Sequence, residues 1–298
     1  MAYKSVFRPD LFADQVIIIT GGGSGIGRCI AHELSALGAT VVITGRSQDK
    51  LDTVRDEIIE DGGAADTRAF DIRLEEAVTE NIASILAQHG PVSGLINNAG
   101  GQFQALLEDI SQKGWETVVR NNLTGGFLMS REIVRQCMRE HGGNIVNITA
   151  DSWNGMPRLG HSGAARMGMV NLTSTAAVEW AHYGIRVNAV APGIIASSGQ
   201  ATYDEATKKR LLKRRLTMPT KRYGNEAEVS GAVAFLLSPA ASFISGETLR
   251  VDGAVPNMTN NYDVPDHDKS AAFDGFHRAV LPEFLAESLA EFPAKGED

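Results

Sequence analysis

A chain of 298 residues with 43% hydrophobic and 21% charged positions has an ordinary globular balance, enough for one large α/β unit or two small ones. Its formal net charge of −8 argues against nucleic acid or an anionic membrane as a partner, while leaving room for a local basic pocket around a phosphate. The only cysteines, Cys29 and Cys137, cannot build a disulfide framework or a thiolate metal site, and no apolar run approaches the roughly 18 residues that span a bilayer.

With no signal-peptide core at the start, the expectation is a cytoplasmic protein without a metal, its cysteines serving as small buried hydrophobes. Residues 1–14 read as a short arm. Val16, Ile17, Ile18, Ile19 and Thr20 form a run typical of a strand buried on both faces. Gly21, Gly22, Gly23, Gly25 and Gly27 then crowd a turn, and Ile26, Ile30, Ala31, Leu34 and Leu37 recur at helical spacing. A strand, a glycine turn and a helix make a cradle for a diphosphate. The glycines let the backbone approach closely, and the helix start offers free N–H groups and a positive dipole end.

A second strand over 40–44 ends at Gly45-Arg46, and a helix over 47–61 carries Leu51, Val54, Ile58 and Ile59 before Gly62-Gly63 stops it. A weaker strand is expected over 67–71, a helix over 74–89 and a fourth strand over 95–97. The alternation continues with a long helix over 111–140, a strand over 144–149, a helix rich in small residues over 162–182 and a strand over 187–190. A basic helix over 204–216 comes next. Asn225 caps a further helix, with Glu228 in capping-box position, and a strand over 247–251 closes the series. The pattern predicts an α/β fold, a doubly wound parallel sheet (Rossmann fold) forming one domain over 1–254. An extension over 255–298 should carry an amphipathic helix with Leu281, Phe284, Leu285, Leu289 and Phe292 on its apolar face.

Several ordered motifs match one family. Thr20-Gly21-Gly22-Gly23-Ser24-Gly25-Ile26-Gly27 resembles the T-G-x-x-x-G-x-G turn of the short-chain dehydrogenases/reductases. Asn97-Asn98-Ala99-Gly100 resembles its N-N-A-G element, and Asn122 its helix asparagine. Pro192-Gly193, with Ser197 following, resembles its P-G-x-x-x-T/S element, and Val251-Asp252-Gly253 its closing strand. Within the family, Gly100 to Phe103, His161 to Arg166 and Asp263 to Asp268 are similar to the peroxisomal trans-2-enoyl-CoA reductases. Ser5 to Pro9, Ala150 to Pro157 and Phe273 to Ala279 are similar to bacterial citronellol/citronellal dehydrogenase-type proteins, and this likeness, reaching both ends, is the nearer one.

The resemblance implies a nicotinamide dinucleotide. Gly21, Gly23, Ser24, Gly25, Ile26 and Gly27 would take the diphosphate. Asp71 with Ile72 would take the adenine, and Asn98, Ala99 and Gly100 would line the cofactor. Pro192, Gly193, Ile195 and Ser197 would hold the nicotinamide end, and Arg166 the ribose. At the end of strand two Arg46 offers a phosphate two charge-assisted bonds and offers a ribose 2′-OH no acceptor, which favours NADP(H) over NAD(H). The resemblance also implies a homotetramer, with a dimer as second choice, paired through the long helices before and after strand five.

At the catalytic centre the chain departs from the family. The usual Y-x-x-x-K is replaced, with Ser162 at the tyrosine position and Arg166 at the lysine position; the family serine falls near Thr149, Ala150 or Asp151. A serine hydroxyl is far less acidic than a phenol, whose ordinary pKa is about 10, and is a poor general acid. A guanidinium keeps its proton but can bind an oxyanion. The candidate catalytic residues are therefore Asn122, Asp151, Ser162 and Arg166. Asp151 is a proton-relay candidate, His161 opens the helix, and Tyr203 could supply a phenol from another direction. The chemistry suits an enolate better than an alkoxide. The expected function is NADP(H)-dependent hydride transfer on a small hydrophobic molecule. An acyclic terpenoid alcohol or aldehyde comes first by resemblance, a conjugated enoyl thioester second, and an inactive nucleotide-binding scaffold third.

Overall fold

The β-branched runs form the centre of a parallel sheet. The computed structural model describes residues 2–197, 205–259 and 261–286. The strands are β1 (Val16–Thr20), β2 (Thr40–Gly45), β3 (Ala64–Ala69), β4 (Gly94–Asn97), β5 (Gly143–Ile148), β6 (Ile185–Pro192), β7 (Ile195–Ala196), β8 (Gly224–Asn225) and β9 (Thr248–Val251). Seven of them pair in the order β3-β2-β1-β4-β5-β6-β9, every pairing parallel, and β7 and β8 form a separate small ladder. The helices are α1 (Gly25–Ala36), α2 (Gln48–Glu60), α3 (Glu75–His89), α4 (Gln112–Val119), α5 (Gly125–Ile133), α6 (Arg139–His141), α7 (Gly160–Glu179), α8 (Glu205–Thr217) and α9 (Glu226–Leu237).

Strand alternation divides the core. Ile17 and Ile19 point to the face covered by Ile30 and Leu34 of α1, Leu51 and Val54 of α2, and Val229 and Val233 of α9. Ile18 points the other way, to Val78 and Ile82 of α3, Met129 and Ile133 of α5, and Ala176 of α7. The layers are those of a Rossmann fold. β1 leads to β2 on one side and neighbours β4 on the other, so the winding reverses between them and a crevice opens beyond their carboxyl ends.

Differences from expectation are local. β3 starts at Ala64, earlier than the polar composition suggests, because Thr40 pairs with Ala64 and the ladder runs to Gly45 with Ala69. The long helix over 111–140 is interrupted by two π-helical turns, Arg120–Thr124 and Val134–Met138, and the first carries Asn122. Asn225 caps α9 in a full capping box with Glu228. Both cysteines are free and buried.

The extension packs on the domain rather than away from it. Phe276 clusters with Tyr3, Cys29 and Ala227, Gly275 accepts from the Lys4 backbone at 2.9 Å, and Arg278 pairs with Glu60 and Asp61 at 2.8 Å. A helical turn occupies 283–286, where Leu285 is buried. Leu289 and Phe292 lie outside the described residues, as do Tyr203 and Asp204. Among the described residues no helix is long and apolar enough to cross a membrane.

Candidate active site

The crevice is stapled at its base. Thr20 Oγ1 accepts from the backbone N–H groups of Asn98 and Ala99, both at 3.0 Å, and Asn98 Nδ2 donates to the Thr20 carbonyl at 2.9 Å. This ties the ends of β1 and β4 together beneath the glycine turn. Gly27 lies under that turn rather than in the crevice: a Cβ there would sit 2.4 Å from Asn98 Nδ2 and from the Gly21 carbonyl oxygen, so no side chain fits. Ser24 caps α1 without using its own hydroxyl, which leaves the first-turn amides pointing outward. Above them opens a cavity of about 990 Å³.

The described lining begins with Gly21, Gly23, Ser24, Gly25 and Ile26 on the turn, continues through Arg46, Lys50, Asp71 and Ile72, and crosses to Asn98, Ala99 and Gly100. Arg46 and Lys50 are exposed and form no ion pair with any described residue. The Arg73 guanidinium on Asp71, with Nε at 2.9 Å, holds that carboxyl below the usual carboxylate range, so it is ionised at neutral pH. A glycine-rich cradle and a free helix start fit the diphosphate of a nicotinamide dinucleotide.

The other half of the cavity is shaped by Gly101, Gln102 and Gln104, the β5 end at Thr149 and Ala150, the loop Pro157-Arg158-Leu159, and Pro192, Gly193, Ile194, Ile195 and Ser197. Arg166 enters from α7 and lines this half, its Nη1 donating to the Ile148 carbonyl. Burial pulls its pKa down to about 10, and no described carboxylate pairs with it. Gly100 passes directly over it, where a Cβ would lie 2.4 Å from Arg166 Nη2 and 2.6 Å from Asn122 Oδ1. The guanidinium therefore lines the cavity, charged and without a counterion among the described residues.

Asn122, Ser162 and Asp151 do not line the cavity. Asn122 is buried in its π turn and clamps the Gly101 backbone, accepting its N–H at 2.9 Å and donating to its carbonyl at 2.8 Å. Ser162 is fully buried and donates to Gln102 Oε1 at 2.6 Å. That bond occupies the Gln102 amide oxygen and leaves its N–H groups with no described protein acceptor; Gln102 itself lines the cavity. Asp151 lies in the loop after β5, its backbone donating to the Pro192 carbonyl at 3.2 Å. Burial, and then the nearby Asp252, raise its pKa. Of the alternatives for the family serine, Thr149 and Ala150 reach the wall, and the Thr149 hydroxyl donates to the Val190 carbonyl at 3.1 Å. His161 is buried edge-on against Phe103 at 4.5 Å, and its Nδ1 accepts from the Ser162 backbone at 2.8 Å. Sequence reasoning missed Lys50, Gln102, Gln104, Arg158, Arg210 and Arg214, all in the wall. The basic composition over 204–216 signalled the arginines of α8, and the run Gly100 to Phe103 contained Gln102.

The comparisons agree with this architecture. Residues 21–255 match a family model described as enoyl-(acyl carrier protein) reductase. A citronellol catabolism dehydrogenase from Pseudomonas aeruginosa PAO1 superposes with a TM-score of 0.77 at 57% identity, covering 85% of this chain and 99% of its own. The mouse peroxisomal 2,4-dienoyl-CoA reductase is 36% identical over 253 residues, 84% of this chain and 87% of that protein. A candidate NAD(P)-dependent gluconate 5-dehydrogenase from Beutenbergia cavernae, with NADP bound at low occupancy, superposes with a TM-score of 0.79 at 32% identity, covering 84% of this chain and all of its own.

Proposed function

The chain belongs to the short-chain dehydrogenase/reductase family, and from that premise we propose that it is an NADP(H)-dependent reductase acting at the β-carbon of a conjugated enoyl compound with an acyclic, branched skeleton. The observation that carries this reading is that Arg166 and Gln102 both line a cavity in which no described lining residue is a tyrosine. Reduction of an aldehyde needs a proton delivered to an alkoxide, and a phenol beside a lysine is how relatives do it. Reduction of a conjugated carbonyl compound at its β-carbon instead sends an electron pair onto the carbonyl oxygen. The enolate then needs hydrogen-bond donors there, and its α-carbon takes a proton from water.

A bound NADPH supplies the hydride. Arg166 and the Gln102 amide offer donors to the enolate oxygen in this half of the cavity. Asn122 and Ser162 hold the 100–102 strap in place, acting through Gly101 and Gln102. Arg46, helped by Lys50, selects the 2′-phosphate. Exposed apolar side chains on the long helices, Phe127 on α5 and Val178 on α7, support assembly as a homotetramer, with a dimer as second choice.

A second reading, oxidation or reduction of an acyclic terpenoid alcohol or aldehyde, is favoured by the 57% identity to the citronellol catabolism dehydrogenase. A spectrophotometric screen with product analysis separates the two. NADPH should be consumed with geranial or crotonyl-CoA, with loss of the conjugated double bond. Turnover of citronellal and citronellol alone, with the conjugated compounds inert, would overturn the enoyl reading.

A further inference from the structure

The cavity has a second cationic end. Arg46 and Lys50 stand where the adenosine phosphate belongs; the wall on the Gln104 side contains Arg158, Arg210 and Arg214. None of these three forms an ion pair with a described residue. Arg210 is held by neutral acceptors, its Nη2 donating to Gln104 Oε1 at 3.3 Å and to Thr207 Oγ1 at 2.9 Å. Arg214 follows one turn later on the same face of α8, close enough to Asp151 for its charge to act on that carboxyl. Arg158 adopts a left-handed backbone, φ 69°, that residues with a side chain seldom take, and its carbonyl accepts from the Ala105 backbone at 2.9 Å. The loops bearing Gln104 and Arg158 are thereby joined.

Three guanidinium groups facing one cavity repel one another unless an anion lies among them. The chain as a whole is acidic, with a net charge of −8, so this basic edge is not a property of the general surface. Lys209 and Lys213 extend it outward along α8, where the one described acidic side chain of the helix, Glu205, is taken by Lys208 at 2.7 Å. A neutral terpenoid alcohol has no use for such a rim, and a single carboxylate would leave most of it unsatisfied.

We propose that Arg158, Arg210 and Arg214 bind the phosphate groups of a coenzyme A thioester, whose acyl end reaches Arg166 and Gln102. The proposal rests on the enoyl reading and names its substrate class. Coenzyme A is chosen over a carrier protein because Arg158, Arg210 and Arg214 all stand in the wall of this one cavity, where several phosphates on one flexible handle can meet all three. A protein bearing a single phosphodiester would instead engage the outward lysines.

The test is the double substitution R210Q/R214Q, at two exposed positions, in the full-length protein. Calorimetry with free coenzyme A, at saturating NADP⁺, should show binding that weakens about tenfold or more in the variant, as expected for losing a charge-assisted contact. Dephospho-coenzyme A should bind more weakly and pantetheine weakest. The KM for crotonyl-CoA should rise to match, and by more than the KM for an N-acetylcysteamine thioester, which carries no phosphate. Equal affinity for coenzyme A in both proteins, equal binding of pantetheine and coenzyme A, or tight binding of a holo acyl carrier protein without binding of coenzyme A would overturn the proposal. Because binding is read without turnover, the two ideas fail separately. Coenzyme A held by the arginines with no thioester reduced would sink the reaction and leave the rim. Reduction of both thioesters with an unchanged KM in the variant would sink the rim and leave the reaction.

Discussion

Replacing Ser162 with alanine tests whether this residue is a proton donor or a positioning group. The hydroxyl makes one described hydrogen bond to a side chain, 2.6 Å to Gln102 Oε1, between neutral partners. Such a bond contributes about 1 kcal/mol. The Gln102 carbonyl it would release is exposed and can turn to water, so no buried acceptor is stranded. About 1 kcal/mol corresponds to a loss of roughly fivefold in kcat, far below the 10²–10⁴-fold, order of magnitude, that general acid catalysis contributes. Steady-state rates with NADPH and an enoyl substrate measure it, and a double-mutant cycle with Gln102→Ala adds a check. If Ser162 works through Gln102, its substitution should cost almost nothing once Gln102 is gone. A loss of more than about a hundredfold in Ser162→Ala, persisting in the Gln102→Ala background, would show that the hydroxyl itself moves the proton and refute the positioning role.

Arg46→Asp should weaken NADPH binding by roughly 10–100-fold and reverse the preference toward NADH, since a carboxylate repels the 2′-phosphate; fluorescence titration of both cofactors checks it. Arg166→Lys should lower turnover about tenfold while cofactor affinity holds, because an ammonium loses the planar fork; equal turnover would mean that the residue serves only the ribose. In the wild type the charge on Arg166 persists below its pKa of about 10, so a rate that needs this charge should be flat through neutral pH and fall only above that value. His32 is buried beside Glu57, Asp61, Arg28 and His277, and burial lowers its pKa from 6.5 to about 4. A base with a lowered folded pKa favours folding above the unfolded value, and that stability is lost as pH falls toward 4, at most about 3 kcal/mol in all. Thermal melts should therefore decline from pH 6.5 downward, and His32→Gln should flatten that limb. Light scattering at micromolar concentration should give a tetrameric mass; a monomer would reject the assembly.

Much of the fold was legible because local rules and tertiary packing agree. Val16–Thr20 is β-branched and pairs with strands on both sides, and Asn225 with Glu228 forms the capping box that its spacing announced. β3 was placed late because Ala64–Ala69 is a polar edge strand, and its register is set by β2 across the ladder rather than by its own pattern. The glycine turn and the cation that line one half of the cavity were legible for a related reason: each lies within a few residues of a strand end. The substrate half was not. Gln102 is placed by Ser162, 60 residues along the chain, and Arg210 meets Gln104 across a separation of 106. Such pairs leave no local periodicity. Asn122 and Ser162 stand out by position in a motif, and the structure sets both behind the wall, bonded to Gly101 and Gln102.

The most direct test of the account is where the hydride lands. NADPH deuterated at the nicotinamide C4 should be turned over with geranial and with crotonyl-CoA, and the products analysed by NMR. The account predicts deuterium on the β-carbon, with the carbonyl intact and a solvent proton on the α-carbon. Deuterium on the former carbonyl carbon, with the double bond retained, would contradict it.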